Sequence, residues 1–307
     1  MASESDILKS YGDVSVVEDV LGLVEILTAT EDSVHNKLGK TKAIATVHET
    51  LTDTLDSVAS RAVAEGADYT TSALTTPTRL TNVVEIVSKK FTVTRTQQEI
   101  DHYHNTNELS RQQTKAMKDW HNSAEYDLVR GSLTSGASGT APTMAGVINA
   151  ISKSTNVTVQ TSGTIFSASI LRGLMKDNWD NSNGDVVTDL YVGSYISNEM
   201  DNFTNKTNVT SDGANLNQII NVVDVFETGL GRVAKHTHRY IQISADATAR
   251  VLAINPDKLK VAYLRRPYVD TGLSRLGDYD PRAIVGKLTL EVRNQDTNFF
   301  AEGYLKG

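Results

Sequence analysis

No cysteine occurs among the 307 residues, which excludes disulfides, thiolate zinc sites and a cysteine nucleophile. No run of about 18 uninterrupted apolar residues exists, so nothing reads as a membrane-spanning helix. The opening residues, "MASESDILKSYGD", lack the basic and apolar regions of a secretory signal, and the expectation is a protein that folds and stays in a cytoplasm. Basic charge is short as well: 30 Lys and Arg stand against 37 Asp and Glu, a formal charge of −7. Proteins that grip nucleic acid by its phosphates carry a basic field, so specific nucleic-acid binding is disfavoured. An acidic wall placed near DNA without gripping it is still compatible with this balance. What remains is globular composition, 39% apolar and 22% charged, in a chain long enough for two lobes with their own cores.

The pattern changes along the chain. "SVVEDVLGLVEIL" has apolar residues at Val16, Val17, Val20, Leu21, Val24 and Leu27, a helical period opened by a capping box of Ser15 and Glu18. The polar, poorly periodic stretch after it reads with it as an arm that packs on something else. From His48 to Lys90, two threonine- and valine-rich stretches, "HETLTDTLD" and "TRLTNVVEIVSKKFTVTRT", bound an Ala/Gly-rich middle. This spells a long hairpin with little to pack against in its own chain, the first hint of a partner. Thr96 with Glu99, and Asn105 with Glu108, are spaced as helix caps. Leu109, Ala116, Met117, Trp120, Ala124 and Leu128 then form one apolar stripe on a helix running to about Arg130, roughly 35 Å long. "GSLTSGASGTAP" ends it in a loop.

Residues 146–255 read as a mixed α/β lobe. "SGTIFSASILRGLMKDNW" is expected as helix, "VVTDLYVG" as strand and "SYISNEMDNF" as a short helix. A hairpin is expected to turn at Gly229–Gly231. Strands at "VLAIN" and "KLKVAYL" follow. "GKLTLEVRN" alternates, with Leu288, Leu290 and Val292 on one side and Lys287, Thr289, Glu291 and Arg293 on the other.

Candidate chemistry is sparse. "HYHNTNELSRQQTKAMKDWH" carries His102, His104 and His121 near Glu108, Asp119 and Glu125. Only His121 and Glu125 become neighbours on a helix, too few ligands for zinc, and a polar helix face is the simpler reading. "KHTH" places His236 and His238 on one strand face without a visible third ligand. Gly39-Lys40-Thr41 lacks the upstream glycine of a phosphate loop, Val34 standing there instead. Gly229-Leu230-Gly231 lacks the third glycine of a dinucleotide fingerprint, and no Gly-x-Ser-x-Gly elbow occurs. Asn156, Asn202, Asn205 and Asn208 head glycosylation-type triplets that read as polar surface. "YLRRPYVDTGLSRLGDYDPR" mixes Arg265, Arg266, Arg275 and Arg282 with Asp270, Asp278 and Asp280, which suits salt bridges within the chain or across subunit contacts.

Taken in order, "HETLTDTLD" with "AEGAD", "TPTRLTNVVEIVSKKFTVTRTQ", "ELSRQQTKAMKDWHNSAEYDLVRG", "INPDKLKVAYLRRPYVDTGLSRLGD" and "GKLTLEVRN" resemble the tailed-phage major capsid proteins of the HK97-type fold, in particular the siphophage shell-protein branch. The resemblance covers most of residues 18–300. It implies an α+β fold with an N-terminal arm (1–47), an E-loop hairpin (48–92) and a peripheral domain with a long spine helix (93–145). An axial domain (146–255) and a return to the peripheral domain (256–307) complete it. It implies self-assembly as hexamers and pentamers into an icosahedral head around double-stranded DNA, in a virion put together in the host cytoplasm. Partners would be a portal, a decoration protein and a separate scaffolding protein, since only about 45 residues precede the E-loop. His48, Glu49, Asp53, Arg79, Lys89, Lys90, Arg265, Arg266, Asp270, Arg275 and Asp278 are the expected subunit-interface residues. No catalytic, metal or cofactor residue is expected, and neither Lys89, Lys90 nor any asparagine matches the covalent crosslinking of some relatives. Two alternatives stand beside this reading: an encapsulin-like compartment shell, and a soluble metal-dependent hydrolase using His236 and His238.

Overall fold

The computed structural model describes residues 33–56, 58–68, 74–101, 107–151, 156–182, 185–203, 225–243 and 246–305. The helical pattern at 16–27, together with His102, His104, Asn105, Asn205 and Asn208, lies outside the described residues. In chain order the first elements are α1 (Ser33–Lys37), β1 (Gly39–Lys42), β2 (Val47–Thr52), β3 (Thr78–Val83), β4 (Glu85–Thr94), α2 (Arg95–Glu99) and α3 (Glu108–Arg130). Next come α4 (Val147–Ala150), β5 (Val157–Thr164), α5 (Ala168–Asn181), β6 (Asp189–Val192) and α6 (Ser194–Asp201). The chain ends with β7 (Val225–Thr228), β8 (Gly231–Thr237), β9 (Ala249–Ile254), β10 (Leu259–Asp270), β11 (Tyr279–Val292) and β12 (Phe299–Tyr304).

Among the described residues, three sheets organise this α+β fold. One has the order β1-β10-β11-β4, a second the order β5-β12-β9-β6-β8-β7, and β2-β3 form a separate two-stranded hairpin. The long helix α3 lies against the first sheet. Its stripe is as the spacing predicts: Leu109, Ala116, Trp120, Ala124 and Leu128 are buried, and the last four share one core with Val87, Val261, Ile284, Leu288 and Leu290 of that sheet. The same core takes in Tyr191, Leu252, Ile254 and Phe300 of the six-stranded sheet, so α3 joins both layers. Trp120 is its anchor. The indole passes over Gly286, where a Cβ would come within 2.4 Å of Cζ2, and its Nε1 donates to Val87 O at 2.9 Å. Burying such a side chain stabilises by about 1.5–3 kcal/mol, and the donated bond adds about 1 kcal/mol.

Several expectations change. The caps are Thr94, whose hydroxyl accepts from Gln97 N, and Asn107, whose side chain accepts from Ser110 N, not Thr96 and Asn105. The helix foreseen from residue 162 starts at Ala168 behind its Ser167 cap; "VTVQTSGT" before it is edge strand β5. The single strand read over 78–94 is two strands in different sheets, broken at the buried Val84, whose N–H donates to Thr46 O. "GKTK" is strand β1, parallel to β10, and Val34, Leu38 and Ala43 are buried, so residues 33–43 belong to the core of their own chain and not to a detached arm. The final segment divides as well. β10 and β11 lie in the first sheet and β12 lies between β5 and β9 in the second, so residues 256–305 divide between two sheets.

Candidate functional site

The expected site residues do not converge on a pocket. They lie along the hairpin, β4 and the β10–β11 connection. At the hairpin root, His48 Nε2 meets Glu291 Oε2 at 3.0 Å and the Thr50 hydroxyl donates to Val292 O at 3.0 Å. Burial alone would raise the Glu291 carboxyl, but the bonds from Arg293 and His48 outweigh it and hold its pKa below the ordinary value. The root is therefore fastened to β11 of its own chain, and His48 is engaged there. Further out, Glu49 and Arg79 pair across the strands at 3.2 Å, and Asp53 accepts from Thr54 N at 2.9 Å. Beyond them the described residues of the hairpin are exposed. Leu55 is 98% exposed, Val58 104% and Leu74 94%.

Lys89 reaches Asp119 of α3 at 3.1 Å, while Lys90 is exposed. Arg265 donates to Tyr268 OH at 3.0 Å and lies over its ring, and Arg266 is exposed. Asp270 accepts from Gly272 N at 2.9 Å, Arg275 pairs with Asp280 at 2.6 Å, and Asp278 meets Arg95 at 3.8 Å. These exposed pairs each contribute about 0–1 kcal/mol, too little to fix the fold, and they leave a mixed-sign surface carrying the exposed Leu276.

The histidines resolve into structural contacts. His238 Nε2 bonds to Glu125 Oε1 at 2.8 Å, and both side chains are fully buried. Glu125 also accepts from Val34 N at 2.8 Å and His35 N at 2.9 Å, so it caps α1. Both of its oxygens are engaged by these donors, Oε1 by Val34 N and His238 and Oε2 by His35 N. His121 packs edge-on against Trp120 and His35, and His35 bonds to Tyr263 OH. His236 goes to a different acid, Asp189, at 2.8 Å. Asp189 also accepts from Thr188 at 2.7 Å and pairs with Lys37 at 3.1 Å. Burial would raise the Asp189 carboxyl, but these three partners hold its pKa down. The two histidines weighed as an incomplete metal pair thus serve separate carboxylates, and both rings contact Tyr191. Among the described residues no three His, Asp or Glu side chains gather as a metal site would require.

Asp189, Asn82 and the Arg130–Asp246 pair were not singled out from sequence, and Glu125 was weighed only as a neighbour of His121. Their partners lie far along the chain, 113 positions away for His238–Glu125 and 116 for Arg130–Asp246, so no local spacing signals them. Glu125 and the Arg130–Asp246 pair tie the long helix to its surroundings, Asn82 does so for the hairpin root, and Asp189 joins β6 to β8 and α1. The geometry is that of a braced plate with a projecting hairpin.

Such plates occur in known shells. The chain is similar to the capsid protein of cyanophage A-1(L), with a TM-score of 0.70 and 9% identity over 97% of this chain and 100% of that one. It is similar to the capsid protein of Myoviridae phage XM1, with a TM-score of 0.64 and 11% identity over 97% and 99%. The SrpI encapsulin of Synechococcus elongatus PCC 7942 also matches, with a TM-score of 0.59 and 10% identity over 97% and 96%. The fold is the HK97-type shell fold, common to phage heads and that encapsulin. No curated protein sequence matches the chain. The chain belongs to the SU10 major capsid protein family, whose sequence model matches residues 5–304. Its role is therefore that of a phage-head major capsid protein, structural and not enzymatic, which assembles with copies of itself.

Proposed function

We propose that the chain forms hexamers and pentamers that close into an icosahedral head around double-stranded DNA, as part of a virion assembled in the host cytoplasm. The hairpin tip carries this reading. Leu55, Val58 and Leu74 are almost wholly exposed in the single chain, and a projecting apolar hairpin of this length gains stability only when a neighbouring subunit covers it. In the proposal the outer part of the hairpin, beyond its root at His48 and Thr50, lies on a neighbour, while residues 33–43 and β4 stay in the core of their own chain. Residues 93–145 with β10 and β11 form the peripheral plate, and 146–255 with β12 the axial domain. Glu49, Asp53, Arg79, Lys90, Arg266, Arg275 and Asp278 supply interface charges, with Lys89, Arg265 and Asp270 beside them. His48 supports the hairpin from inside the chain. A portal, a separate scaffolding protein and a decoration protein complete the particle.

Deleting the tip, about residues 60–75, tests this. The shortened chain is expected to fold, because its core lies elsewhere, and to fail to form stable shells. Normal particles from the deletion would overturn the hairpin's assigned role.

A further inference from the structure

At the hairpin root two acids lie against each other. Glu85 opens β4 directly after the break at Val84, and it is buried. Asp127 stands in the last turns of α3, and the two carboxyl groups share a hydrogen bond. Two ionised carboxylates have no hydrogen to share, so this bond exists only while one of them is protonated. Glu85 Oε2 also accepts from Met144 N at 3.1 Å. Beside it, Asn82 Oδ1 accepts from Ala145 N at 2.9 Å, and Asn82 Nδ2 donates to Ala145 O at 3.1 Å and Leu290 O at 2.9 Å. Gly131 N closes on Asp127 O at 2.8 Å. Hairpin root, helix end and the 131–146 loop all meet at this pair.

The surrounding charges are occupied or face elsewhere. The 131–146 loop has no ionisable residue. On β11, Glu85 pairs with Leu288, while Lys287 pairs with Ile86 on the opposite face. On α3, Arg130 is held by Asp246, Glu125 is turned to α1 and His238, and Asp119 pairs with Lys89 of β4. On the hairpin, His48 is engaged by Glu291 and Arg79 by Glu49. Tyr126 and Tyr240 stack edge-on beside Asp127. Among the described residues no basic side chain bonds to either acid. Asp127 lines a surface cleft of about 400 Å³ with Asn122, Ser123, Tyr126 and Tyr240, which gives its proton a route to solvent.

We infer that the Glu85–Asp127 pair is a proton-operated latch between the hairpin root and the long helix, closed by one shared proton and opened when that proton leaves. Its working range lies near neutrality. Burial pushes the Glu85 pKa from 4.5 up to about 7 against the opposing Met144 N–H, and the charge and hydrogen bond of Asp127 push the same way. Burial raises Asp127 as well. The native state therefore holds a proton that the unfolded chain gives up. The latch contributes fully below pH 4.5, and its contribution is lost as pH rises through about 7.

Glu85→Gln tests this in the full chain, independently of any assembly. Its amide donates to the Asp127 carboxylate and its carbonyl accepts from Met144 N without a titrating proton. Thermal unfolding is expected to match wild type within about 1 °C at pH 5. The wild type should then fall roughly 4–6 °C below the variant by pH 8.5. Parallel curves at all pH values would overturn the latch. Should Glu85→Gln not fold, the wild type alone carries the test: protection of the Met144 and Ala145 amides, corrected for the intrinsic pH dependence of exchange, is expected to fall between pH 5 and pH 8.5, and unchanged protection would overturn the latch. Amide exchange at Met144 and Ala145 supplies a second reading at fixed pH 8.5: protection weaker in wild type than in the variant supports the latch, and equal protection rejects it.

Discussion

Gly286→Ala adds one methyl group where the structure has no room. The new Cβ would stand 2.4 Å from Trp120 Cζ2, 3.2 Å from Cε2 and 3.3 Å from Pro267 Cα. The indole cannot simply retreat, because it is fully buried and its Nε1 is bonded to Val87 O at 2.9 Å. Val87 is also the residue that pairs with Gly286 across β11 and β4, so displacement of the ring strains both strands. Overpacking costs about 1–3 kcal/mol. Loss of the indole bond would leave a buried carbonyl unsatisfied, worth about 1–3 kcal/mol more. The alanine recovers roughly 0.5–1 kcal/mol of backbone entropy. The net expectation is a loss of about 2–4 kcal/mol, read from denaturant unfolding followed by tryptophan fluorescence. The double variant Gly286→Ala with Trp120→Phe should be more stable than the two single losses added, by about 1 kcal/mol or more, since the phenyl ring vacates the clash. A single variant within about 0.5 kcal/mol of wild type, or strict additivity, would refute the placement of Trp120 against β11.

Two further outcomes follow from the buried polar groups. Glu125→Ala removes the acceptor of Val34 N, His35 N and His238 Nε2, and the expected loss is about 3–5 kcal/mol in the same unfolding assay, with Glu125→Gln losing less; a loss near zero would show that α1 is not held there. Burial would raise the Asp246 carboxyl, but Arg130, the Ile243 N–H and Arg250 hold its pKa below 3.8, so its stabilisation is present above 3.8 and lost as pH falls through the depressed value. Asp246→Asn should accordingly flatten the acid limb of the unfolding midpoint, and an unchanged acid slope would contradict this.

Much of the plate was legible because it is built from local periodicity. The stripe from Leu109 to Leu128 and the turn at Gly229–Gly231 need only neighbours within a few residues, and both stand as spaced. The alternation of "GKLTLEVRN" was legible on one side only. Leu288, Leu290 and Val292 are buried as expected, but so are Thr289 and Glu291, because the hairpin root some 240 positions away covers the other face. The break between β3 and β4 was hidden for a related reason: buried residues at Asn82, Val84, Glu85 and Val87 follow the change of sheet and not a single strand period. Edge strand β5 was missed because its polar, glycine-containing sequence carries no core signal. The charged interface candidates were visible as residue types, but their in-chain partners, such as Glu291 for His48, were set by tertiary proximity alone.

The most direct measurement is electron microscopy of the full chain after a sizing column, with and without a co-expressed scaffolding protein. Assembly through an exposed hairpin predicts closed round shells, or rings of five and six subunits, from the intact chain. A clean monomer under both conditions, with the hairpin tip still exposed, would contradict it.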